Sequence, residues 1–399
     1  MKEELRGKRL LVQGAGRGNL GLVKAAKRNG VYVVMTGLGG DYPCNPYADK
    51  FCYGDISNPD AILKIAKAEH VDGVAICCSD TGLIPIGCCN DRLGLVGLSE
   101  QAALACSDKS IMKQKLLSAG VRTPNSILVR TEEDLSVALT RLTFPLVIKA
   151  VDLQGSRGIS VVSSMEEAVT AFRESISLSR KDYCLVEEFI VGREFGAQAF
   201  VYRGNVLFVL PHGDDTIMCG APVPVGHYIP YVMSSEMTED VKKQVVNAIS
   251  SLELDNCAVN VDLIERDGKV YVLELSGRVG ANCLPELVGN YFSFDYYEVI
   301  LATALGFSPL SYFKGSVQPC FSMSCMLRSE VSGKVVSIES VKDELADIRL
   351  FIHLGSMVRE FSNCNDAIGE VIVKDTSLEA CESHLSSLCG KILKGIKYE

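Results

Sequence analysis

The chain has no tryptophan, no surplus of positive charge and no apolar run approaching the roughly 18 residues that a membrane-spanning helix needs. Its 399 residues carry 40 Lys and Arg against 49 Asp and Glu, a formal charge of −9. A sequence pI near 5.3 excludes nucleic-acid binding through a broad basic face. A small anion can still be held by a few local cations and backbone N–H groups. The opening "MKEELRGKRLLVQGAG" has no apolar core long enough for a signal peptide. Sixteen cysteines are present, yet there is no C-x-x-C and no Cys/His spacing suited to zinc. They sit in apolar runs such as "VAICCSD" and "PIGCCND", which predicts reduced, buried thiols in a cytoplasmic protein. Also missing is the phosphate loop GxxxxGK[ST]. The lack of tryptophan says nothing about function.

What is present reads as a globular chain, 47% hydrophobic and 22% charged. At roughly 100–200 residues per domain the length predicts two to four domains. Over the first hundred residues, apolar strands ("RLLVQGA", "VYVVMTG", "VDGVAICCS") alternate with helices ("GNLGLVKAAKRNG", "NPDAILKIAKAEH"). Continuous apolar strands fit a doubly wound parallel sheet covered on both faces. The turn "GAGRGNLG" departs from a dinucleotide fingerprint, and no acid closes the second strand. A tight turn, an anion site at a helix N-terminus and a weak dinucleotide site all stay open there. From "SDKSIMKQKLLSAG", a helix capped by Ser107 or Asp108 and carrying Lys109 and Lys113, the pattern becomes α+β. "DYCLVEEFIVGREFGAQAFVYRGNVLFVLP" reads as consecutive antiparallel strands, with turns at Gly192 and Arg203-Gly204. Past Gly306 the chain is strand-rich. The expected domains are 1–106, 107–308 with a mobile lobe over about 125–195, and 309–399.

Three segments carry chemistry. Lys149 lies inside the apolar strand "FPLVIKAV", where an unpaired ammonium is costly, so it calls for an anionic partner. The loop Gly155–Gly158 follows, with Ser156 and Arg157 as added donors and Lys109 as a second cation. A surface hairpin with incidental lysines is the plain alternative. In "VNVDLIERDGKVYVLELSGR", a hairpin turning at Asp267-Gly268 brings Asp262 to Glu274. Two neighbouring carboxylates repel unless a cation lies between them, and Mg²⁺ suits such oxygen ligands. Arg278 is placed to stabilise negative charge that develops in a reaction. A pair of edge-strand acids beside a surface arginine is the bland reading. Finally, "LVEEFIVGREF" suits a hinge between lobes, where adenine meets backbone near Glu188–Ile190 and Glu194 takes the ribose.

In order, these segments resemble the ATP-grasp enzymes, over about residues 1–310. The resemblance implies an ATP-grasp fold, α/β and α+β, with an N-terminal Rossmann-like domain and a small strand-rich C-terminal domain. It implies that Lys109 and Lys149 bind ATP phosphates under the Gly155, Ser156, Arg157, Gly158 loop. Glu187, Glu188, Phe189 and Ile190 would meet adenine, and Glu194 the ribose. Asp262 and Glu274 would bind Mg²⁺ or Mn²⁺, and Arg278 would stabilise an acyl-phosphate and a tetrahedral intermediate. The family usually has Asn two residues after the second metal carboxylate; this chain has Ser276, which puts a second metal in doubt. "LSGRVGANCLPELV" resembles the carboxylate-amine ligase branch, more loosely supported by the tail. That branch implies an ADP-forming ligase of small carboxylates and amines. From their own positions, His212 and His227, flanking a segment suited to an acceptor pocket, and Glu286, suited to a substrate amino group, are substrate-side candidates. The resemblance also suggests a homodimer. A biotin-carboxylase-like or bicarbonate- or formate-activating enzyme acting on a metabolite amine, and a non-catalytic ATP-binding regulator, are the other readings.

Overall fold

The computed structural model describes residues 2–154, 157–219, 222–315 and 320–399. Gly155 and Ser156, expected in the phosphate-covering loop, lie outside the described residues. The chain forms two compact units: Met1–Val209 with Met233–Val279 and Tyr297–Ser311, and Leu210–Val232 with Gly280–Tyr296 and Tyr312–Glu399.

The first unit opens with strands β1 (Arg9–Gln13), β2 (Tyr32–Gly37), β3 (Lys50–Tyr53) and β4 (Gly73–Ala75). They form a parallel sheet in the order β3-β2-β1-β4. Leu10, Leu11, Val12, Val33, Val34 and Met35 are fully buried, which is why these strands read as unbroken apolar runs. β3, "KFCY", has no such run and went unread. Asn58 caps the helix Pro59–Ala68 by accepting from the Ala61 amide at 3.1 Å.

The glycine turn after β1 is closed by Asn19. Its amide nitrogen donates to the carbonyls of Gln13 and Gly14, both at 2.8 Å, and its oxygen accepts from the Cys77 N–H at 2.7 Å. A Cβ on Gly21 would lie 2.1 Å from the Tyr297 ring, and one on Gly73 would lie 2.0 Å from the Ala304 carbonyl oxygen. The glycines here permit close packing, and the geometry favours the tight-turn reading.

Next comes the antiparallel sheet β5-β8-β6-β7, built from β5 (Ser126–Val129), β6 (Leu146–Ala150), β7 (Ile159–Val162) and β8 (Cys184–Glu188). The helix Met165–Leu178 packs on it through Ala168, Ala171 and Phe172. Further on lie β9 (Arg193–Tyr202), β10 (Asn205–Met218), β11 (Pro222–Ile229), β12 (Cys257–Arg266) and β13 (Lys269–Ser276). In the first unit β12 pairs antiparallel with both β9 and β13. β8 and β9 are consecutive but belong to different sheets, so the expected run of paired strands breaks at Gly192. A Cβ on Gly192 would lie 2.2 Å from the Glu265 carbonyl oxygen, so the chain there must pass hard against β12. The expected turn at Asp267-Gly268 forms, with φ of +54° and +72°.

In the second unit β11 pairs with β10 over Gly213–Met218 and with β14 (Phe321–Leu327). Then follow β15 (Gly333–Ile338), β16 (Ala346–Leu350), β17 (Met357–Val358), β18 (Gly369–Asp375) and β19 (Ile396–Tyr398). β18 lies between β14 and β16. The helix Leu378–Lys394, capped by Ser377, buries Cys381, Leu385, Leu388 and Ile392 against this sheet. It is the main element that the strand-rich expectation for the tail did not contain.

Candidate active site

The first unit holds these residues in two contact clusters: Lys149 and Glu187 with Lys113, and Lys109 with Glu274, the strand neighbour of Asp262, alongside Ser276 and Arg278 on Asp80. Asp108 caps the helix Lys109–Ser118, accepting from the Ser110 N–H at 2.9 Å. This sets Lys109 and Lys113 one helical turn apart, so both sit on the same buried side. Lys149 projects from β6, and its Nζ lies 2.7 Å from Glu187 of β8. Lys113 Nζ donates to Thr123 Oγ1 at 2.6 Å and lies 3.5 Å from the other Glu187 oxygen. Glu187, only 3% exposed, is therefore shared by two buried lysines. Burial alone would raise its carboxyl, but Lys113 and Lys149 hold it below the ordinary range. Burial pushes Lys113 down to about 8 against the opposing pull of Glu187. The cluster carries one more positive than negative charge, so a buried anion beside it is electrostatically favoured. Lys113 was read as part of its helix but not as a site residue.

The Glu187 side chain turns to the lysines, which leaves the backbone of this strand end for the expected adenine contact. Neighbouring residues of a strand face opposite ways, and Glu188 accordingly reaches Arg266 at 2.8 Å. Ile190 is buried, Phe189 is half-buried and Glu194 is exposed. Arg157, at the end of the glycine loop, donates to the Gln154 carbonyl at 3.2 Å. Gly158 has φ +66° and its carbonyl accepts from Ala150 N–H at 2.9 Å, a conformation that disfavours any other residue there.

The carboxylate pair forms as the hairpin predicts. Asp262 is opposite Glu274 and Asn260 opposite Ser276, so all four side chains share one face. Gly196 of β9, the other neighbour of Asp262, leaves that face without a side chain. Glu274 is half-buried, whereas Asp262 is exposed, more open than two half-buried acids. The donor set is hard oxygen and anionic, which fits Mg²⁺ or Mn²⁺ and not a thiophilic ion. Lys109 lies 3.0 Å from Glu274 and donates to the Leu153 carbonyl at 2.8 Å. It thus links the glycine-loop stem to the metal candidates. Burial alone would depress its ammonium, yet Glu274 raises it. Asn260 was missed; its position two residues before Asp262 on a strand was the available signal. Its side-chain nitrogen donates to Asp262 at 3.1 Å, and its oxygen accepts from Gln198 at 2.6 Å.

Arg278 is engaged bidentately by Asp80, with Nε at 2.7 Å from one carboxylate oxygen and Nη2 at 2.8 Å from the other. The Ser276 hydroxyl donates to the same carboxylate. Burial would raise the Asp80 carboxyl, but Arg278, Ser276 and Lys109 hold it low. Asp80 follows β4, and nothing in its local sequence marked it.

In the second unit His212 and His227 are buried, and the Nδ1 atoms of both reach one oxygen of Asp214, at 2.8 and 2.6 Å. Among the described residues, these make the one cluster of three or more His, Cys, Asp or Glu side chains with ligand atoms close enough to share a metal ion. Both contacts have N–H···O hydrogen-bond lengths. Glu286, the third substrate-side candidate, is salt-bridged to Arg349 at 2.7 Å; Arg349 also holds Glu370 and Asp347.

A family profile described as phosphoribosylglycinamide synthetase, ATP-grasp (A) domain, matches residues 107–258. A crystal structure described as phosphoribosylglycinamide synthetase from Anaerococcus prevotii is 42% identical, with a TM-score of 0.85, covering 98% of this chain and 99% of that one. The L-amino acid ligase structure from Bacillus licheniformis shares the fold, with 20% identity, a TM-score of 0.81 and 99% coverage of each chain. Alanine–anticapsin ligase of Bacillus subtilis is 24% identical over 294 residues, 67% of this chain and 61% of that protein. The chain thus spans about three-fifths of the length of alanine–anticapsin ligase and 23% of the carbamoyl phosphate synthase large chain of Neisseria meningitidis.

Proposed function

The chain belongs to the ATP-grasp family, and from that premise we propose that it is an ATP-dependent, ADP-forming carbon–nitrogen ligase that joins a small carboxylate to an amine. The observation that carries this reading is the convergence, in one unit, of the buried lysine pair with the in-register Asp262 and Glu274 and with Arg278. The names of two relatives, an L-amino acid ligase and an alanine–anticapsin ligase, support an amino acid as the carboxylate.

Lys109 and Lys149 bind nucleotide phosphates beneath the 155–158 loop, and adenine lies along the backbone at 187–190, with Glu194 at the ribose. Asp262 and Glu274 would hold Mg²⁺ or Mn²⁺, which when bound neutralises phosphate charge; Ser276, its hydroxyl given to Asp80, is the weaker ligand. A substrate carboxylate oxygen attacks the γ-phosphorus and ADP leaves. The amine nitrogen then attacks the acyl carbon, the carbon–oxygen bond to phosphate breaks, and the amine gives up a proton to a base. Arg278 stabilises the oxyanion of the tetrahedral species. His212, His227 and Glu286 are the proposed substrate-side residues, with the Glu286 carboxylate held by Arg349. Positioning and charge neutralisation supply most of the catalysis. The proposed organisation keeps domains 1–106, 107–308 and 309–399, in a cytoplasmic, homodimeric enzyme. No helix among the described residues is long and apolar enough to cross a membrane, and no nucleic-acid partner is proposed.

The test is ADP and phosphate release from Mg-ATP across single amino acids, amino-acid pairs, bicarbonate and formate, with mass spectrometry of each positive reaction. A condensed amide that forms only when acid and amine are both present is expected. Release driven by bicarbonate or formate would transfer the site to the activation of those acids. ATP binding without any turnover would favour a regulator.

A further inference from the structure

We propose that Asp80 is a positioning residue for Arg278, fixing which edge of the guanidinium meets the reacting oxyanion. The inference rests on the ligase reading above and extends it to a residue outside the ATP-grasp motifs.

A guanidinium offers two bidentate edges, Nε/Nη2 along its side and Nη1/Nη2 at its end. Asp80 occupies the side edge through both of its oxygens. Nη1 makes only a long 3.3 Å contact with the neighbouring Val279 carbonyl. Only the end of the guanidinium is left to take an incoming anion. Without Asp80, the arginine has several rotamers and either edge to offer, and an oxyanion site loses its value when its donors must first reorganise. Asp80 is itself held, because the Ser276 hydroxyl donates to the oxygen that meets Nε. Ser276 thereby has a task in this chain that an amide at that position would perform differently.

The loop that carries Asp80 also touches the stem of the phosphate-covering loop. Asp80 N–H donates to Gln154 Oε1 at 3.3 Å, and Gln154 Nε2 lies 3.4 Å from Thr81 Oγ1. Lys109 reaches the Leu153 carbonyl of the same stem. One short loop after β4 therefore contacts both the nucleotide-covering segment and the arginine. Arg278 is held in register with the nucleotide loop as well as oriented.

The experiment is titration calorimetry with MgADP, then with inorganic phosphate in the presence of saturating MgADP, using the full chain. Inorganic phosphate is a product of the proposed reaction and needs no knowledge of the acid or amine. Asp80→Asn keeps the shape but removes the charge; it should weaken phosphate by about tenfold or more, the scale on which misplacing a catalytic group acts. MgADP affinity should stay within about threefold, since the backbone contact to Gln154 survives. Asp80→Glu should fall between Asp80→Asn and the native chain. Arg278→Ala should weaken phosphate at least as much, and adding Asp80→Asn to it should cost nothing further. Should Asp80→Asn not fold, Asp80→Glu carries the same comparison. Native phosphate affinity in both Asp80 variants, or additive losses in the double variant, would overturn the role of Asp80. Native affinity in Arg278→Ala would instead overturn the ligase reading of Arg278.

Discussion

Glu187→Gln removes the carboxylate shared by two buried lysines while preserving volume. Breaking a buried ion pair by deleting one partner costs about 3–5 kcal/mol when the orphaned charge has no escape. Lys113 does have one. Its ammonium already titrates near 8, so at pH 7 it can shed its proton for about 1 kcal/mol. Lys149 loses its 2.7 Å partner. The net loss of stability at pH 7 should therefore be about 2–4 kcal/mol. At pH 9 Lys113 is largely neutral in the native chain too, and the loss should shrink by about 1 kcal/mol. With no tryptophan to report, urea unfolding would be followed by far-UV circular dichroism and tyrosine fluorescence, ligand-free, at both pH values. A loss below about 0.5 kcal/mol at pH 7 would show that Glu187 does not balance the lysines, and the electrostatic reading of this cluster would fail.

The metal pair and Lys113 make further predictions. Asp262→Asn should raise the Mg²⁺ concentration for half-maximal turnover about tenfold or more, and Glu274→Gln should do the same. ATP affinity measured in a chelator should change little in Asp262→Asn, whose side chain is exposed, which equilibrium dialysis would check. Lys113 has a folded-state pKa near 8 against an ordinary 10.5, so between those values the unfolded chain binds the extra proton. Stability from this group should thus rise as pH climbs from about 8 to 10.5. Lys113→Met should flatten that rise in thermal melts across the range, without loss of stability at pH 7.

Much of the site was legible because short-range rules fix it. The Asp267-Gly268 turn sets the register of β12 and β13, and register alone places Asp262 against Glu274. Lys149 was visible as a charge inside an apolar strand. Adjacent acids were harder: "VEEF" contains one inward and one outward carboxylate, and composition cannot say that Glu187 is the inward one. Asp80 could not be read at all, since its partner Arg278 lies 198 residues away. β3 escaped for a different reason, being a four-residue edge strand whose neighbours supply the apolar cover. The split of β8 from β9 depended on Gly192 passing against Glu265, a contact that no local pattern encodes.

Gly21 against Tyr297 and Gly73 against Ala304 bear on how the chain can be cut. The amino-terminal sheet leans on residues synthesised more than two hundred positions later, and those residues belong to the same compact unit. A fragment stopping at 106 would bare the glycine-lined surface that receives them. On the ribosome, the first hundred residues must wait for the Tyr297–Ser311 segment to emerge before their packing is complete.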